Sequence, residues 1–325
     1  MKRILVSGAS GIVGYGILRS LRQSGQSYTL VGSSIYDDSV APAFCDVFEQ
    51  APVTSAPEYL DWLLETIRRH DIEMLIPGIE IDMYHWAEHV PEISAVGAIP
   101  LLNRPELISL CKDKWVFYEH LKQAGVRCAI DSSLVADYTS LKQSLGIPFL
   151  LKPRRGFGSK GIVRVATEEE FHKFRAGMGV TLMAQPIVGS DDDEYTVSTF
   201  CDGEGSYFAG MALRRKLSRD GFTDRAEVAD ISDFVPTISE LCALLRPIGP
   251  TNFQFRRCAD GLKLLEINPR VSSSTSLRTS FGYNESAMAV EYFLDKRIPV
   301  QPLIRRGRAV RYVDEKVFYE DGIYF

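Results

Sequence analysis

The chain has 325 residues, of which 45% are hydrophobic and 24% charged, and its net charge is −5. That composition is globular and long enough for two or three domains, and it gives no electrostatic reason to bind nucleic acid or an anionic membrane. The cysteines at 45, 111, 128, 201, 242 and 258 form no C-x-x-C pair or Cys/His cluster, so neither a zinc site nor a disulfide framework is implied. No apolar run is long enough to span a bilayer, and Met1-Lys2-Arg3 leads straight into a strand; a reducing cytoplasm is the expected location.

Residues 4–7 read as a short apolar strand, followed by Gly8-Ala9-Ser10-Gly11-Ile12-Val13-Gly14 and a helix with Ile17, Leu18 and Leu21 on its apolar side. In dinucleotide-binding folds such glycines let backbone amides approach a pyrophosphate. With Tyr118-x-x-x-Lys122, spaced like the catalytic pair of short-chain reductases, they raise an NAD(P)-dependent reductase as an alternative. The G-x-x-G-x-x-G spacing is also common wherever a helix packs tightly on a strand, and a Tyr–Lys pair at helical spacing arises readily by chance. The domain continues with a strand at 29–32, a helix near 57–70 and a strand at 73–77. Beyond that strand's carboxyl end, Glu80 and Asp82 are placed either to meet a substrate amine or to serve a helix N-terminus. A strand near 100–102 ends the domain, and Asn103-Arg104-Pro105 reads as the linker.

A helix opens near Lys114 and stops at Gly125. The segment 148–153 predicts a buried strand ending in Lys152, a cation that is costly to bury without an anion. In the basic Arg154-Arg155-Gly156-Phe157-Gly158-Ser159-Lys160-Gly161 that follows, the glycines allow amides to wrap a phosphate and the cations add charge-assisted bonds. It is not a Walker loop, because no Gly-Lys-Ser/Thr opens a helix; an ordinary hairpin is the alternative. Thr167-Glu168-Glu169-Glu170 is a capping box. A strand at 181–185 leads through Pro186–Gly189 to the acidic Asp191–Glu194. Strands at 195–201 and 206–213 come next, the second ending in Arg214-Arg215-Lys216, one of which is placed to help bind an acceptor carboxylate. Residues 218–235 read as an irregular loop over the site, and a helix near 237–245 follows.

Thr251–Arg270 predicts a β-hairpin around Asp260-Gly261. A three-residue loop, Ala259 to Gly261 with Gly261 left-handed, sets Gln254 opposite Glu266 and Asn252 opposite Asn268. The same register groups Phe253, Phe255, Leu265 and Ile267 on the core side, whereas a two-residue loop would mix the two sets. The polar face then offers oxygens of Gln, Glu and Asn, with Arg270 just beyond. Such ligands suit Mg²⁺ bound together with phosphates; a half-solvated polar face is the plain alternative.

Gln-x11-Glu-x-Asn-Pro-Arg followed by Val271-Ser272-Ser273-Ser274 resembles the metal-binding signature of the ATP-grasp superfamily, in the form found in carbamoyl phosphate synthase large subunits. The match extends, with gaps, from about Lys114 to the helix after Gly282. The resemblance implies an α/β (α+β) fold: a Rossmann-like domain over 1–103, a lid subdomain over 104–184 with the linker helix and glycine-rich loop, and a C-terminal subdomain over 185–325 with the metal site. It implies ATP and two Mg²⁺ ions, with Mn²⁺ as a substitute. Phosphates would meet Lys114, Lys152, Gly156, Gly158 and Ser159; adenine would meet backbone groups of Ala184 and Ile187, and Gln185 where the family often has Glu. Glu194 is implied on the ribose, Gln254, Glu266 and Asn268 on the metal, and Arg270, Lys152 and Lys114 as catalytic charges. Ser272–Ser280 resembles an acyl-site loop, and a helix from about 284 to 294 closes the fold.

The implied activity is that of an ATP-dependent ligase, which turns a small carboxylate into an acyl phosphate for attack by an amine-type nucleophile. Its partners would be ATP, the acid and the amine, and a homodimer is compatible with it. One unit without a glutaminase cysteine motif does not make a carbamoyl phosphate synthase. A non-catalytic nucleotide-binding regulator is the third reading, against which the intact Glu266-x-Asn268-Pro-Arg270 speaks.

Overall fold

The computed structural model describes residues 1–156 and 160–320. The N-terminal part alternates strand and helix: β1 (Lys2–Val6), α1 (Ile12–Arg22), β2 (Tyr28–Ser34), β3 (Val47–Gln50), α2 (Tyr59–His70), β4 (Met74–Ile76), α3 (Glu80–Glu88), α4 (Val90–Ala95) and β5 (Ile99–Pro100). Its strands form a parallel sheet in the order β3-β2-β1-β4-β5. Ile4, Leu5 and Val6 of the central strand are fully buried, as a sheet covered on both faces requires.

The glycine turn after β1 is used for close packing. A Cβ on Gly14 would lie 2.2 Å from the Gly8 carbonyl oxygen, and one on Gly78 would lie 2.1 Å from that of Ser7. The glycines therefore let the turn, α1 and the loop after β4 touch backbone to backbone. Tyr118 is buried and reaches Asp131 at 3.4 Å, while Lys122 sits over its ring. Both signs of a reductase thus have packing explanations.

The remainder begins with α5 (Pro105–Cys111), α6 (Lys114–Gln123) and α7 (Tyr138–Leu145). A small sheet, ordered β7-β6-β8, comprises β6 (Phe149–Pro153), β7 (Val163–Val165) and β8 (Leu182–Pro186), with α8 (Glu168–His172) started by the expected capping box. Then come β9 (Glu194–Asp202), β10 (Tyr207–Leu217), β11 (Thr223–Ala229), α9 (Val235–Leu245), β12 (Ile248–Cys258), β13 (Gly261–Asn268), α10 (Thr275–Ser280), α11 (Glu285–Phe293) and β14 (Arg308–Val310). They build a sheet in the order β13-β12-β9-β10-β11-β14.

Two expectations change here. Residues 218–235 are not an irregular loop, because β11 pairs with β10 across much of that segment. Ser272–Ser280 is not all loop either, since α10 occupies its second half.

Packing regroups the chain. Ile4, Val6 and Met74 of the first sheet share one core with Phe200, Val271, Ala289 and Val290. Phe117 and Leu121 of α6 pack with Val197, Phe253 and Phe255 of the large sheet, so the linker helix joins the C-terminal core rather than the lid. The lid has a separate core of Leu141, Phe149, Leu151, Val165 and Phe171. Asn103 is a buried brace, donating to Thr251 Oγ1 at 2.9 Å and accepting from the Ile248 amide at 3.0 Å. Among the described residues, no helix is long and apolar enough to cross a membrane.

Candidate active site

Asn252 stands opposite Asn268 and Gln254 opposite Glu266, as expected, but by a different route. The loop has two residues, closed by the Cys258–Gly261 pair, and the register shifts beside Gln254, where Phe255 pairs with Leu264. Leu265 is therefore the extra residue of a β-bulge. The bulge restores the separation that a two-residue loop would lose. Leu264 turns into the core with Phe253 and Phe255, and Leu265 lines the cleft instead of the core. Gly261 has φ +116°, in the region that favours glycine.

Leu265 and Glu266 border two adjoining spaces. One, of about 840 Å³, lies between the lid and the large sheet, lined by Lys114, Lys152, Gly156, Glu194, Gln254 and Glu266. The other, of about 820 Å³, reaches toward the N-terminal domain, where Glu80, Tyr84, Lys112, Lys114, Glu266 and Asn268 line it. Lys114 Nζ donates to the Gly156 carbonyl at 2.7 Å, which ties the start of α6 to the glycine-rich loop. Burial pulls the pKa of Lys152 down to about 8, against the opposing pull of the Glu266 carboxylate. A partly buried ammonium in that condition is stabilised by an arriving anion. Gly158 and Ser159 lie outside the described residues.

Arg154 does not serve the phosphate loop. It holds Asp113 through Nε at 3.2 Å and Nη2 at 2.8 Å, and donates to the Gly179 carbonyl at 2.9 Å. Asp113 in turn caps α6 through the Trp115 amide. This clamp fixes the root of the lid beside Lys114.

At the hinge, Gln185 Nε2 donates to Ser132 Oγ at 2.8 Å, and its Oε1 is buried with no partner among the described residues. An orphaned acceptor lining the cleft suits an amino-group donor such as that of a purine. Ala184 does not fit its expected role, because Ser133 takes both its backbone N–H and its carbonyl. Ile187 lines a neighbouring hollow with Pro186, Val188 and Gly189 rather than either cleft space. Glu194 is buried and engaged at both oxygens, by Arg215 at 2.9 Å and by Arg256 at 3.0 Å. Any ribose contact would use its remaining lone pairs.

Arg215 and Arg256 were not singled out by the sequence reading. Ending the second strand at Leu213 left Arg214, Arg215 and Lys216 equivalent. In the full strand they alternate: Arg214 and Lys216 pair outward with Asp193 and Asp192, while Arg215 is buried and reaches Gln254 Oε1 at 2.5 Å. Asp82 is also spoken for, since it is buried and accepts from Thr54 at 2.6 Å. Glu80 is different. It meets Arg270 Nη2 at 2.6 Å, and each side chain is 15% exposed.

The metal reading fits in part. Among the described residues there is no group of three or more His, Cys, Asp or Glu able to hold an ion alone. Glu266 is the only carboxylate in the Gln254–Glu266–Asn268 set, with Asn268 Nδ2 donating to its Oε1 at 3.2 Å. A single charge with an amide oxygen beside it suits Mg²⁺ that arrives with phosphates. Gln254 fits less well, because its oxygen is held by Arg215.

Residues 180–316 match the family model described as ATP-grasp in the biosynthetic pathway with Ter operon. The chain is 22% identical over 209 residues to the carbamoyl phosphate synthase large chain of Thermotoga neapolitana, a match covering 60% of this chain and 19% of that protein. Identity to the Kocuria rhizophila large chain is 25% over 195 residues, covering 56% and 18% respectively. The matched region thus spans about a fifth of the length of these curated relatives. N5-carboxyaminoimidazole synthetase from Staphylococcus aureus superposes with a TM-score of 0.72 at 17% identity, covering 93% of this chain and 80% of that one. The same enzyme has also been solved with ADP. Biotin carboxylase from Campylobacter jejuni gives a TM-score of 0.72 at 16% identity, covering 94% and 74%. These likenesses give the fold, and the match to an ATP-grasp family model covers β12 and β13, where the signature lies.

Proposed function

We propose that this chain is an ATP-dependent ligase that activates a small carboxylate as an acyl phosphate for attack by an amine. The observation that carries this reading is the convergence of Lys114, Lys152 and Glu266 on one cleft between the lid and the large sheet. Lys114 and Lys152 beside the Glu266 carboxylate match a nucleotide whose phosphates need charge neutralisation and whose metal needs an anchor. The orphaned Gln185 oxygen at the hinge supports the adenine end, and the similar fold solved with ADP supports the nucleotide.

A carboxylate oxygen of the substrate attacks the γ-phosphorus, and the bond to ADP breaks. The amine then attacks the acyl carbon, phosphate leaves, and the amine's proton is lost to the departing phosphate. Lys114 and Lys152 offset charge on the transferring group, while Arg270 orients the acid. Glu266 and Asn268 would hold Mg²⁺, which supplies further neutralisation of the phosphates. The protein's part is positioning and electrostatics.

Equilibrium dialysis should show Mg-ATP bound and NADPH not. ADP release should then rise with one acid–amine pair from pooled carboxylates and amines. Tight NADPH binding without ATP binding would overturn the ligase reading.

A further inference from the structure

We propose that the part of the cleft facing the N-terminal domain is a zwitterion site, in which Glu80 takes the ammonium and Arg270 the carboxylate of an amino acid. The inference rests on the ligase reading and names its acid: an amino acid that keeps its amino group while its carboxyl group is activated.

Glu80 and Arg270 come from different parts of the fold. Glu80 opens α3 in the N-terminal domain, and Arg270 follows β13 at the end of the Glu266-x-Asn268 face. Their contact uses Arg270 Nη2 alone, while Nη1 donates to the Val271 carbonyl at 2.9 Å. The adjacent Nε–H is buried and has no acceptor among the described residues. Nε and Nη2 form one side of the guanidinium fork, the geometry that receives a carboxylate through two parallel bonds. Glu80 therefore fills half of a carboxylate site and leaves a buried donor unsatisfied, an arrangement that costs free energy.

Charge decides which ligand can take the place of this contact. A simple carboxylate that captured Arg270 would strand the Glu80 charge in a site that is 15% exposed. A simple amine that captured Glu80 would strand Arg270 in the same way. An amino acid satisfies both at once, exchanging an internal ion pair for two external ones with no change in net charge. Glu80, Glu266, Asn268 and Pro269 line this part of the cleft, while Arg270 borders a small neighbouring hollow with Pro77 and Val271 and meets the cleft only through Glu80. A carboxylate that takes the place of Glu80 on Arg270 therefore lies beside the face assigned to the phosphates. The Tyr84 hydroxyl in that wall is pushed to higher pKa by burial and then by Glu80, so it stays a neutral neighbour of the ligand.

Hydroxylamine trapping tests this without knowing the natural nucleophile, because hydroxylamine attacks an acyl phosphate, phosphate leaves and a hydroxamate remains. The full chain with Mg-ATP is given individual free amino acids, their N-acetyl forms and their desamino counterparts. Hydroxamate and ADP should form with at least one free amino acid, and kcat/KM for its N-acetyl and desamino forms should be at least about tenfold lower. Glu80→Gln should raise the KM for that amino acid at least about tenfold, leave the Kd for Mg-ATP within about twofold, and narrow the gap to the desamino acid. Equal use of the desamino acid, an unchanged KM in Glu80→Gln, or Mg-ATP binding with no hydroxamate from any free amino acid would each overturn the zwitterion site. Only a failure to bind Mg-ATP would count against the ligase reading itself.

Discussion

Lys152 ends β6 inside the cleft, where burial lowers its pKa to about 8 from an ordinary 10.5. One proton then has opposite effects on stability and on binding. Below about pH 8 the folded and unfolded chains both carry the charge, so the cost of burying it is fully present. Between about 8 and 10.5 the unfolded chain holds more protons, and this group makes the protein more stable as pH rises, by up to about 3 kcal/mol across the window. Phosphate binding needs the charged form, so affinity for Mg-ATP should be flat below about pH 7.5 and fall by up to tenfold per unit above 8. Calorimetric titration across that range checks the second slope, and Lys152→Arg, which cannot lose its charge, should flatten it. At Glu266 the expectation concerns turnover. Glu266→Gln should lower kcat by at least about a hundredfold, on the order of 3 kcal/mol, with unchanged thermal unfolding. Near-normal turnover with the same Mg²⁺ dependence would reduce the hairpin face to solvated surface.

Whole elements are fixed by groups outside the cleft. Arg278 of α10 and Glu285 of α11 are fully buried and 3.2 Å apart. The Arg278 guanidinium also donates to Ser272 Oγ, Thr196 Oγ1 and Asn252 Oδ1, and Glu285 accepts from Ser198. This network pins both helices to β9 and β12, and through Asn252 it reaches the polar face itself. Arg278→Met alone should cost about 3–5 kcal/mol in urea denaturation, because it leaves a buried carboxylate uncompensated. Arg278→Met with Glu285→Leu should recover more than half of that loss. Nothing in the Ser/Thr-rich 272–280 run announced the network, since Arg278 and Glu285 meet only after two short helices turn back on the sheet. The hairpin shows both what the sequence reveals and where it stops. Alternation and the Asp-Gly turn suffice to set Gln254 opposite Glu266, but the same pairing arises from a three-residue loop or from a two-residue loop plus a bulge at Leu265. Only packing chooses, by taking Leu264 into the core. Arg215 was hidden for a related reason: alternation picks it from its neighbours only once β10 is known to continue past Leu213.

At the scale of the molecule, the cores define the units that open together. The first sheet and the C-terminal helices share one apolar cluster, which Val6 and Ile17 enter from one side and Phe200, Val271 and Val290 from the other. Asn103 stitches the linker to β12 within that body. The lid keeps its own cluster around Phe149 and Phe171, and its root is held by polar contacts: Arg154 to Asp113, Ser133 to Ala184 and Gln185 to Ser132. Apolar burial makes regions unfold cooperatively, whereas a few polar bonds permit local opening at lower free energy. Amide hydrogen exchange should therefore separate the chain into two classes. Strands β6, β7 and β8 should exchange faster than β1 and β9, which should be lost together in the slowest, global event. Adding Mg-ATP should slow exchange in β6 and at residues 184–188, where Lys152 and Gln185 meet the cleft, and leave β1–β3 unchanged. If β1, β2 and β4 instead exchange as a unit at lower free energy than β9 and β12, the shared core does not couple them. The N-terminal domain would then be a separate body that the Glu80–Arg270 contact merely touches.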